Sequence, residues 1–132
     1  MKYFTITELC HSNTADYLGI NNSCREEHVV NLTALVDNVL DPLREWYGKS
    51  ILVNSGYRCV ELNDAINGSS TSQHMRGQAA DVTTGDRQQN RLLFEYIRKN
   101  LPFDQLIDES NFAWVHVSYR TDGNNRGQVL KL

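Results

Sequence analysis

The last third of the chain predicts short strands joined by short connections, and this spacing is the strongest constraint on the fold. Apolar or alternating runs predict strands at 103–107, 114–119 and 128–132. The polar residues Asp108–Asn111 between the first two runs predict a hairpin connection. A hairpin joins antiparallel strands, whereas parallel neighbours need a long crossover. This part of the chain therefore predicts a largely antiparallel sheet.

Helical patterns are interleaved with these strands. The segment Ser23–Glu26 has the sequence of a capping box, and apolar residues recur behind it at three- and four-residue steps. We therefore predict a helix over 24–47 that bends near Asp41–Pro42 and ends at Gly48. Two further helices are predicted at 60–66 and 86–100, and two further strands at 51–53 and 79–83. The expected class is α+β, with a mostly antiparallel central sheet flanked by helices.

Length and charge limit the possible functions. A chain of 132 residues is long enough for one domain, and we expect a single domain over 1–132 that acts as a monomer. The 13 basic and 16 acidic residues give a net charge of −3 without a Lys/Arg run, which argues against nucleic acid as a partner. No apolar stretch reaches the length of a membrane span, so no membrane partner is expected.

The N-terminus and the cysteines bear on the compartment. Residues Met1–Glu8 lack the basic and then apolar pattern of a secretory signal peptide, so a reducing cytoplasm is expected. The three cysteines are odd in number and show no C-x-x-C spacing, so we expect them to be reduced and to pack as small hydrophobic residues. They are Cys10, Cys24 and Cys59.

The ten residues from Ser72 to Asp81 follow the pattern S-x-H-x-x-G-x-A-x-D. His74 and Asp81 are seven residues apart and converge only if the chain turns back between them, which Gly77 permits. His116 is the best third ligand, because strand alternation separates it from Val115 and Val117. Two imidazoles and one carboxylate with an open fourth position are typical ligands of a hydrolytic Zn²⁺ site.

This pattern resembles the zinc D-Ala-D-Ala carboxypeptidases and related peptidoglycan peptidases, which include VanX- and VanY-type enzymes and phage L-alanyl-D-glutamate endolysins. Ser55–Arg58 (S-G-Y-R) and Trp114–His116 (W-V-H) stand in the corresponding order, and the resemblance covers about 51–119. It implies a Hedgehog/D-Ala-D-Ala-peptidase-like fold and Zn²⁺ bound by His74, Asp81 and His116. It also implies hydrolysis of peptidoglycan stem peptides, which a chain without a signal peptide would reach on phage lysis.

The sequence departs from the family pattern where many members carry the catalytic base. Ala113 occupies the position three residues before the last histidine. Glu109 is therefore the expected base, by resemblance to members with a D-Q-L-I-x-E segment, and Asp108 is the alternative. A two-residue turn at Ser110–Asn111 would put Gln105 opposite His116, as its hydrogen-bonding partner.

Several other side chains have expected roles. Arg58 is the candidate for stabilising the oxyanion, and Arg76 for pairing with a substrate carboxylate. Ser72 and Tyr119 are expected to hydrogen-bond the substrate. His11 and His28 are expected at the surface or as helix caps, and Trp46 and Trp114 in the core.

Two alternatives remain open at this point. One is an inactive zinc-bearing binding or structural module on the same fold, which the missing acid at Ala113 suggests. The other is a metal-free interaction domain.

Overall fold

A computed structural model describes all 132 residues and contains one five-stranded sheet flanked by helices. The strands are β1 (Leu52–Ser55), β2 (Ala79–Thr83), β3 (Gln105–Glu109), β4 (Trp114–Ser118) and β5 (Gln128–Lys131). Their order is β1-β2-β4-β3-β5, and every pairing is antiparallel except β3 with β5. The predicted α+β class and mostly antiparallel sheet are confirmed.

Six α-helices surround the sheet. They are α1 (Ile6–Cys10), α2 (Asn13–Leu18), α3 (Glu26–Leu35), α4 (Asp41–Tyr47), α5 (Val60–Ala65) and α6 (Arg87–Asn100). The first two were not predicted, because each is short and is defined mainly by its cap. The side chains of Thr5 and Ser12 accept the cap hydrogen bonds of α1 and α2. No helix combines the length and apolarity that a membrane crossing requires.

The predicted long helix is α3 and α4 joined by a π-helical turn, Val36–Leu40. The wider turn comes directly before Pro42, which lacks an N–H group and crowds the carbonyl four residues earlier. Gly48 ends α4 with a left-handed φ of +75°. The predicted Ser23 cap is wrong: the Arg25 N–H donates to the His28 ring (3.0 Å), so that the helix begins at Glu26.

The two faces of the sheet have different surroundings. One face carries buried apolar residues that join the helices in the core: Ala80, Val82, Leu106, Val115 and Val117. Successive residues of a strand point to opposite faces. Asp81, Glu109 and His116 therefore lie together on the other face. The fold thus gathers the candidate site residues on the face opposite the apolar core.

The hairpin between β3 and β4 differs from the prediction. Its turn has four residues, 110–113, and three of them, Ser110, Asn111 and Phe112, have left-handed φ values of 51–60°. The longer turn places Ile107 opposite His116. Gln105 instead donates through its Nε2 to Gln128 on β5 (2.7 Å), so the predicted pairing of Gln105 with His116 is wrong.

A disulfide joins Cys10 to Cys24, which corrects the expectation that all the cysteines are reduced. The end of α1 and the segment before α3 come together in the fold, with the two Cα atoms 6.2 Å apart. Cys59 remains a thiol, and its Sγ accepts from the Leu62 N–H at the start of α5. Sequence spacing alone carried no sign of this pairing.

Both tryptophans lie outside the core, contrary to expectation. Trp46 lies in the last turn of α4 and is 45% exposed. Its ring stacks on that of Tyr96, with ring centres 4.1 Å apart. Trp114 is half-buried and borders the polar cleft, since strand alternation places it on the same face as His116.

Candidate metal centre and active-site cleft

His74 is held by a short 3₁₀ turn, Gln73–Arg76. The Ser72 hydroxyl accepts from the His74 N–H (3.2 Å) at the start of the turn. Gly77 ends the turn with φ +75°, and a Cβ there would lie 2.8 Å from the His28 carbonyl oxygen. The glycine of the motif is therefore required by both its φ and its surroundings.

The imidazole of His74 is fixed by a backbone carbonyl. Its Nδ1–H donates to the Gly56 oxygen (2.7 Å), and the residue is only 2% exposed. A Cβ at Gly56 would lie 2.1 Å from the Leu9 carbonyl oxygen, so only glycine fits there. This contact gives a structural reason for the glycine of S-G-Y-R, and the hydrogen bond selects the tautomer in which the neutral ring has Nε2 as its free acceptor.

Asp81 and His116 face each other across the pairing of β2 with β4. Asp81 Oδ1 lies 2.9 Å from His116 Nδ1, and Asp81 Oδ2 lies 3.4 Å from His74 Nε2. One potential ligand atom from each of the three residues lies within 4.8 Å of the other two. The structure therefore brings together all three predicted metal ligands.

The donor set fits a cation. His74 Nε2 is buried and has no hydrogen-bond partner, and a carboxylate oxygen of Asp81 lies 3.4 Å from it. Two acceptors that face each other away from water are unfavourable unless a positive charge lies between them. Two imidazoles and a carboxylate are ligands that first-row divalent metals accept. The buried His74–Asp81–His116 cluster can therefore hold a metal ion.

Electrostatics favour the ionised form of Asp81. Burial by itself would raise the pKa of Asp81, but the hydrogen bond with His116 and the nearby ring of His74 outweigh burial and place the pKa below its usual range. The Arg58 guanidinium adds a positive charge, with Nη2 3.5 Å from Asp81 Oδ2. A carboxylate that stays ionised is the form that binds a metal.

Arg58 is oriented by its neighbours at the end of β1. Its Nε donates to Ser55 Oγ and its Nη1 to Asn63 Oδ1, both at 3.0 Å. Burial lowers the pKa of Arg58, and the charges of Asp81 and Glu109 oppose that effect. The guanidinium is thus fixed beside the metal cluster, where it faces the cleft.

Glu109 and Asp108 lie on opposite faces of β3. Glu109 borders the cleft, and burial together with the charge of Asp81 raises its pKa. Asp108 is 3% exposed, and its Oδ1 accepts from the Phe112 N–H (2.6 Å) inside the hairpin. Of these two candidates for the base, only Glu109 lines the cleft that contains the metal cluster.

A family model described as Peptidase M15 matches residues 2–118. The chain belongs to the peptidase M15 family. The match confirms the resemblance to D-Ala-D-Ala carboxypeptidase-type enzymes and includes the residues of the metal cluster. A comparison with curated proteins finds no match. As a member of M15, the chain is a hydrolase of the metallopeptidase type.

The cleft of this M15 family member has a volume of about 840 Å³ and a lining that contains charges of both signs. Its charged residues, apart from the histidines, are Arg58, Arg76, Arg120, Arg126, Asp81, Asp104 and Glu109. Arg76 is exposed, and its guanidinium has no hydrogen-bond or ion-pair partner within the chain. A bound dication would add further positive charge at the cleft floor.

Other predicted substrate residues are divided between the cleft and the core. Ser72 and Gln105 border the cleft. Tyr119 packs against the apolar core, and its backbone N–H donates to the Gln78 carbonyl (2.9 Å). The ring of Tyr119 lies outside the cleft lining, in contrast to the expected substrate contact.

One ion pair at the cleft wall, between a buried acid and an exposed arginine, was not predicted from the sequence. Asp104 is fully buried and accepts from the Nε (3.0 Å) and Nη2 (2.8 Å) atoms of Arg126. It also accepts from the Arg126 N–H (2.9 Å) and from Gln73 Nε2 (3.0 Å). The hydrogen bond with Arg126 is the main cause of the lowered pKa of Asp104. No sequence motif marks this pair, whose members are 22 residues apart.

Proposed function

We propose that this chain is a zinc-dependent peptidase that hydrolyses peptidoglycan stem peptides. The observation that carries the proposal is the buried cluster of His74, Asp81 and His116, in which His74 Nε2 faces Asp81 without a hydrogen-bond donor. Zn²⁺ suits these ligands because it prefers four-coordinate sites with nitrogen and oxygen donors. Three protein ligands leave one position for water or substrate.

The proposed reaction uses two more residues of this chain. A bound Zn²⁺ supplies Lewis acidity, which lowers the pKa of a water molecule and polarises the scissile carbonyl. Glu109 accepts a proton from the attacking water and later delivers it to the leaving amine. Its raised pKa favours that second transfer. Arg58 stabilises the negative charge that develops on the carbonyl oxygen.

The cleft lining supports an anionic peptide as substrate. Arg76 has a fully available guanidinium, and we assign it to a carboxylate of the substrate, which it can bind bidentately. Arg120 and Arg126 line the same cleft from the segment after β4, but each is paired with an acid, Asp122 and Asp104, so Arg76 is the arginine left for the substrate. Ser72 and Gln105 are positioned to donate hydrogen bonds to the peptide. Stem peptides carry free carboxylates, so their charge complements this lining.

The proposed place of action follows from the substrate. Peptidoglycan lies outside the cytoplasmic membrane, and disulfides such as Cys10–Cys24 persist in oxidising compartments. We therefore propose that the chain acts at the wall, which a phage enzyme made in the cytoplasm would reach on lysis. One copy supplies every ligand and cleft residue named here, so the proposed active form is a monomer.

Digestion of purified peptidoglycan tests this function. Muropeptides are analysed by mass spectrometry after incubation with the protein, with and without a chelator. We expect new amino or carboxyl termini that disappear with the chelator and return with Zn²⁺. Release of D-Ala would indicate a carboxypeptidase, and an internal cut an endopeptidase. A wild-type protein that holds Zn²⁺ but leaves walls and D-Ala-containing peptides intact would contradict the proposal.

A variant separates this function from an inactive zinc-bearing module. Ala113 lacks the acid that many members carry there, which is the observation in favour of such a module. The location of Glu109 in the cleft favours catalysis instead. In a peptidase, Glu109→Gln lowers the rate of hydrolysis by about 10²–10⁴-fold while retaining the metal. In a binding module, the same substitution leaves wall binding unchanged and there is no hydrolysis to lose.

A further inference from the structure

The loop between Cys10 and Cys24 packs against the segment that carries Arg58. Asn22 lies in this loop, two residues before the disulfide, and is only 9% exposed. Its Nδ2 donates to the carbonyls of Cys10 and Tyr57, both at 2.9 Å. Its Oδ1 accepts from the Cys59 N–H at 2.7 Å. The nitrogen and the oxygen of the side-chain amide thus both form hydrogen bonds with backbone groups.

The segment that Asn22 holds is bonded on its other side to His74. The peptide unit between Gly56 and Tyr57 accepts from His74 Nδ1 (2.7 Å) and donates to the Leu9 carbonyl (2.8 Å). The next unit donates through the Arg58 N–H to the His74 carbonyl (3.0 Å) and accepts from Asn22 Nδ2. Two successive peptide units therefore lie between His74 and the N-terminal segment.

We propose that Asn22, held in place by the Cys10–Cys24 disulfide, is a positioning residue for His74 and Arg58. This inference rests on the proposed metal-dependent peptidase function. The orientation of the Gly56 carbonyl sets the ring and tautomer of His74, and such outer partners of metal ligands strongly affect metal affinity. Asn22 sets that orientation through the adjacent peptide unit.

The disulfide makes this positioning sensitive to redox conditions. A dithiol reductant transfers two electrons and two protons to the bond, which leaves thiols at Cys10 and Cys24 and an oxidised dithiol. The loop then loses its covalent closure, and Asn22 is held by hydrogen bonds alone. We expect weaker metal binding in the reduced protein, and therefore higher activity in an oxidising compartment than in a reducing one.

The test compares Asn22→Ala with Asn21→Ala, an exposed neighbour with no bond to the segment 55–59. Zn²⁺ affinity is measured by competition with a chromogenic chelator, and the His74 Nδ1–H signal is followed by NMR in the metal-free protein. We expect Asn22→Ala to weaken Zn²⁺ binding about 10-fold and to shift the His74 signal. With a cell-wall peptide as substrate, kcat should fall more than KM rises. Asn21→Ala should match the wild type in every measurement.

Two further variants keep the test decisive. Asn22→Asp retains the acceptor for Cys59 but loses both donors, so Zn²⁺ affinity should again fall. If Asn22→Ala does not fold, the Cys10→Ser/Cys24→Ser pair carries the test, because it leaves Asn22 intact and removes only the closure.

A lower melting temperature with unchanged Zn²⁺ affinity and an unchanged His74 signal would reduce Asn22 to a structural residue and overturn the proposal. Absence of peptide hydrolysis by the wild type would overturn the peptidase function instead. The NMR and affinity measurements would still decide the role of Asn22.

Discussion

Asp81 and Asp104 are both buried carboxylates that border the same cleft, but their oxygens are satisfied to different degrees. Asp104 accepts four hydrogen bonds, three from Arg126 and one from Gln73, and both of its oxygens are bonded at 2.8–3.0 Å. Its charge is balanced within the chain. Such a group stabilises a fold and leaves little bonding capacity for a ligand.

Asp81 has weaker partners. Only the bond with His116 is short (2.9 Å), while His74 and Arg58 lie 3.4 and 3.5 Å from the other oxygen. The facing nitrogen of His74 carries no proton for Asp81, because its proton lies on the Gly56 side. Burial of an acid therefore does not by itself mark a metal site. The incomplete bonding around it does.

The largest expected effect comes from Asp81→Asn. The amide oxygen carries no charge, so we expect the protein to lose Zn²⁺ binding and its hydrolytic activity to fall to background. The metal-free protein should still fold, because Asn accepts from His116, but its unfolding free energy should fall, because the ionised Asp81 is stabilised by its neighbours. Metal analysis, muropeptide release and urea unfolding measure the three quantities. Retained zinc in this variant would remove the distinction between the two carboxylates.

Glu109→Gln should have the next largest effect. It removes the proton acceptor without touching the three ligands, so we expect kcat to fall by about 10²–10⁴-fold while the zinc content stays the same. The measurement is steady-state hydrolysis of a cell-wall peptide with metal content determined on the same sample. A kcat within threefold of wild type would assign the base to another residue.

Arg126→Gln makes Asp104 resemble Asp81 by removing two of its four hydrogen bonds, the ones that the guanidinium donates. We expect a lower unfolding free energy at pH 7, because two hydrogen bonds from a charged donor are lost, with zinc retained. Arg126 holds the pKa of Asp104 below its ordinary 3.8, so the carboxylate stabilises the fold above that pH. This stabilisation is lost as the pH falls through the lowered value. The difference in unfolding free energy between the variant and the wild type should therefore become smaller below pH 3.8 in urea titrations. A larger difference there would contradict the role of Arg126.

The smallest effect is expected for Asp108→Asn, a matched control for Glu109→Gln on the opposite face of β3. The amide oxygen can still accept from the Phe112 N–H, so the unfolding free energy should fall by less than about 1 kcal/mol. Hydrolysis should stay within threefold of wild type. A loss of kcat comparable to that of Glu109→Gln would restore Asp108 as the candidate base.

The metal cluster was predictable because the local backbone conformation requires particular residues at particular positions of the motif. Gly77 has to adopt a left-handed conformation beside the carbonyl of His28, and Ser72 caps the turn that holds His74. Asp81 and His116 lie on strands that the apolar pattern predicted. The strands and the sheet class followed from the same patterns.

The parts that sequence reasoning missed depend on contacts between distant segments. Phe112 adopts a left-handed φ inside the hairpin turn, which no turn pattern predicts for an aromatic residue. The turn is therefore longer than predicted, and Ile107 rather than Gln105 lies opposite His116. The Cys10–Cys24 bond depends on how α1 packs against the segment before α3. Arg126 reaches Asp104 only after the chain has passed through β3 and β4.

The zinc content of protein purified without added metal tests the central claim most directly. Plasma mass spectrometry of the wild type, Asp81→Asn and Asp104→Asn compares the two buried carboxylates in one experiment. We expect about one zinc per chain in the wild type and in Asp104→Asn, and none in Asp81→Asn. A wild type without zinc, or equal zinc in the wild type and Asp81→Asn, would contradict the assignment of the His74–Asp81–His116 cluster.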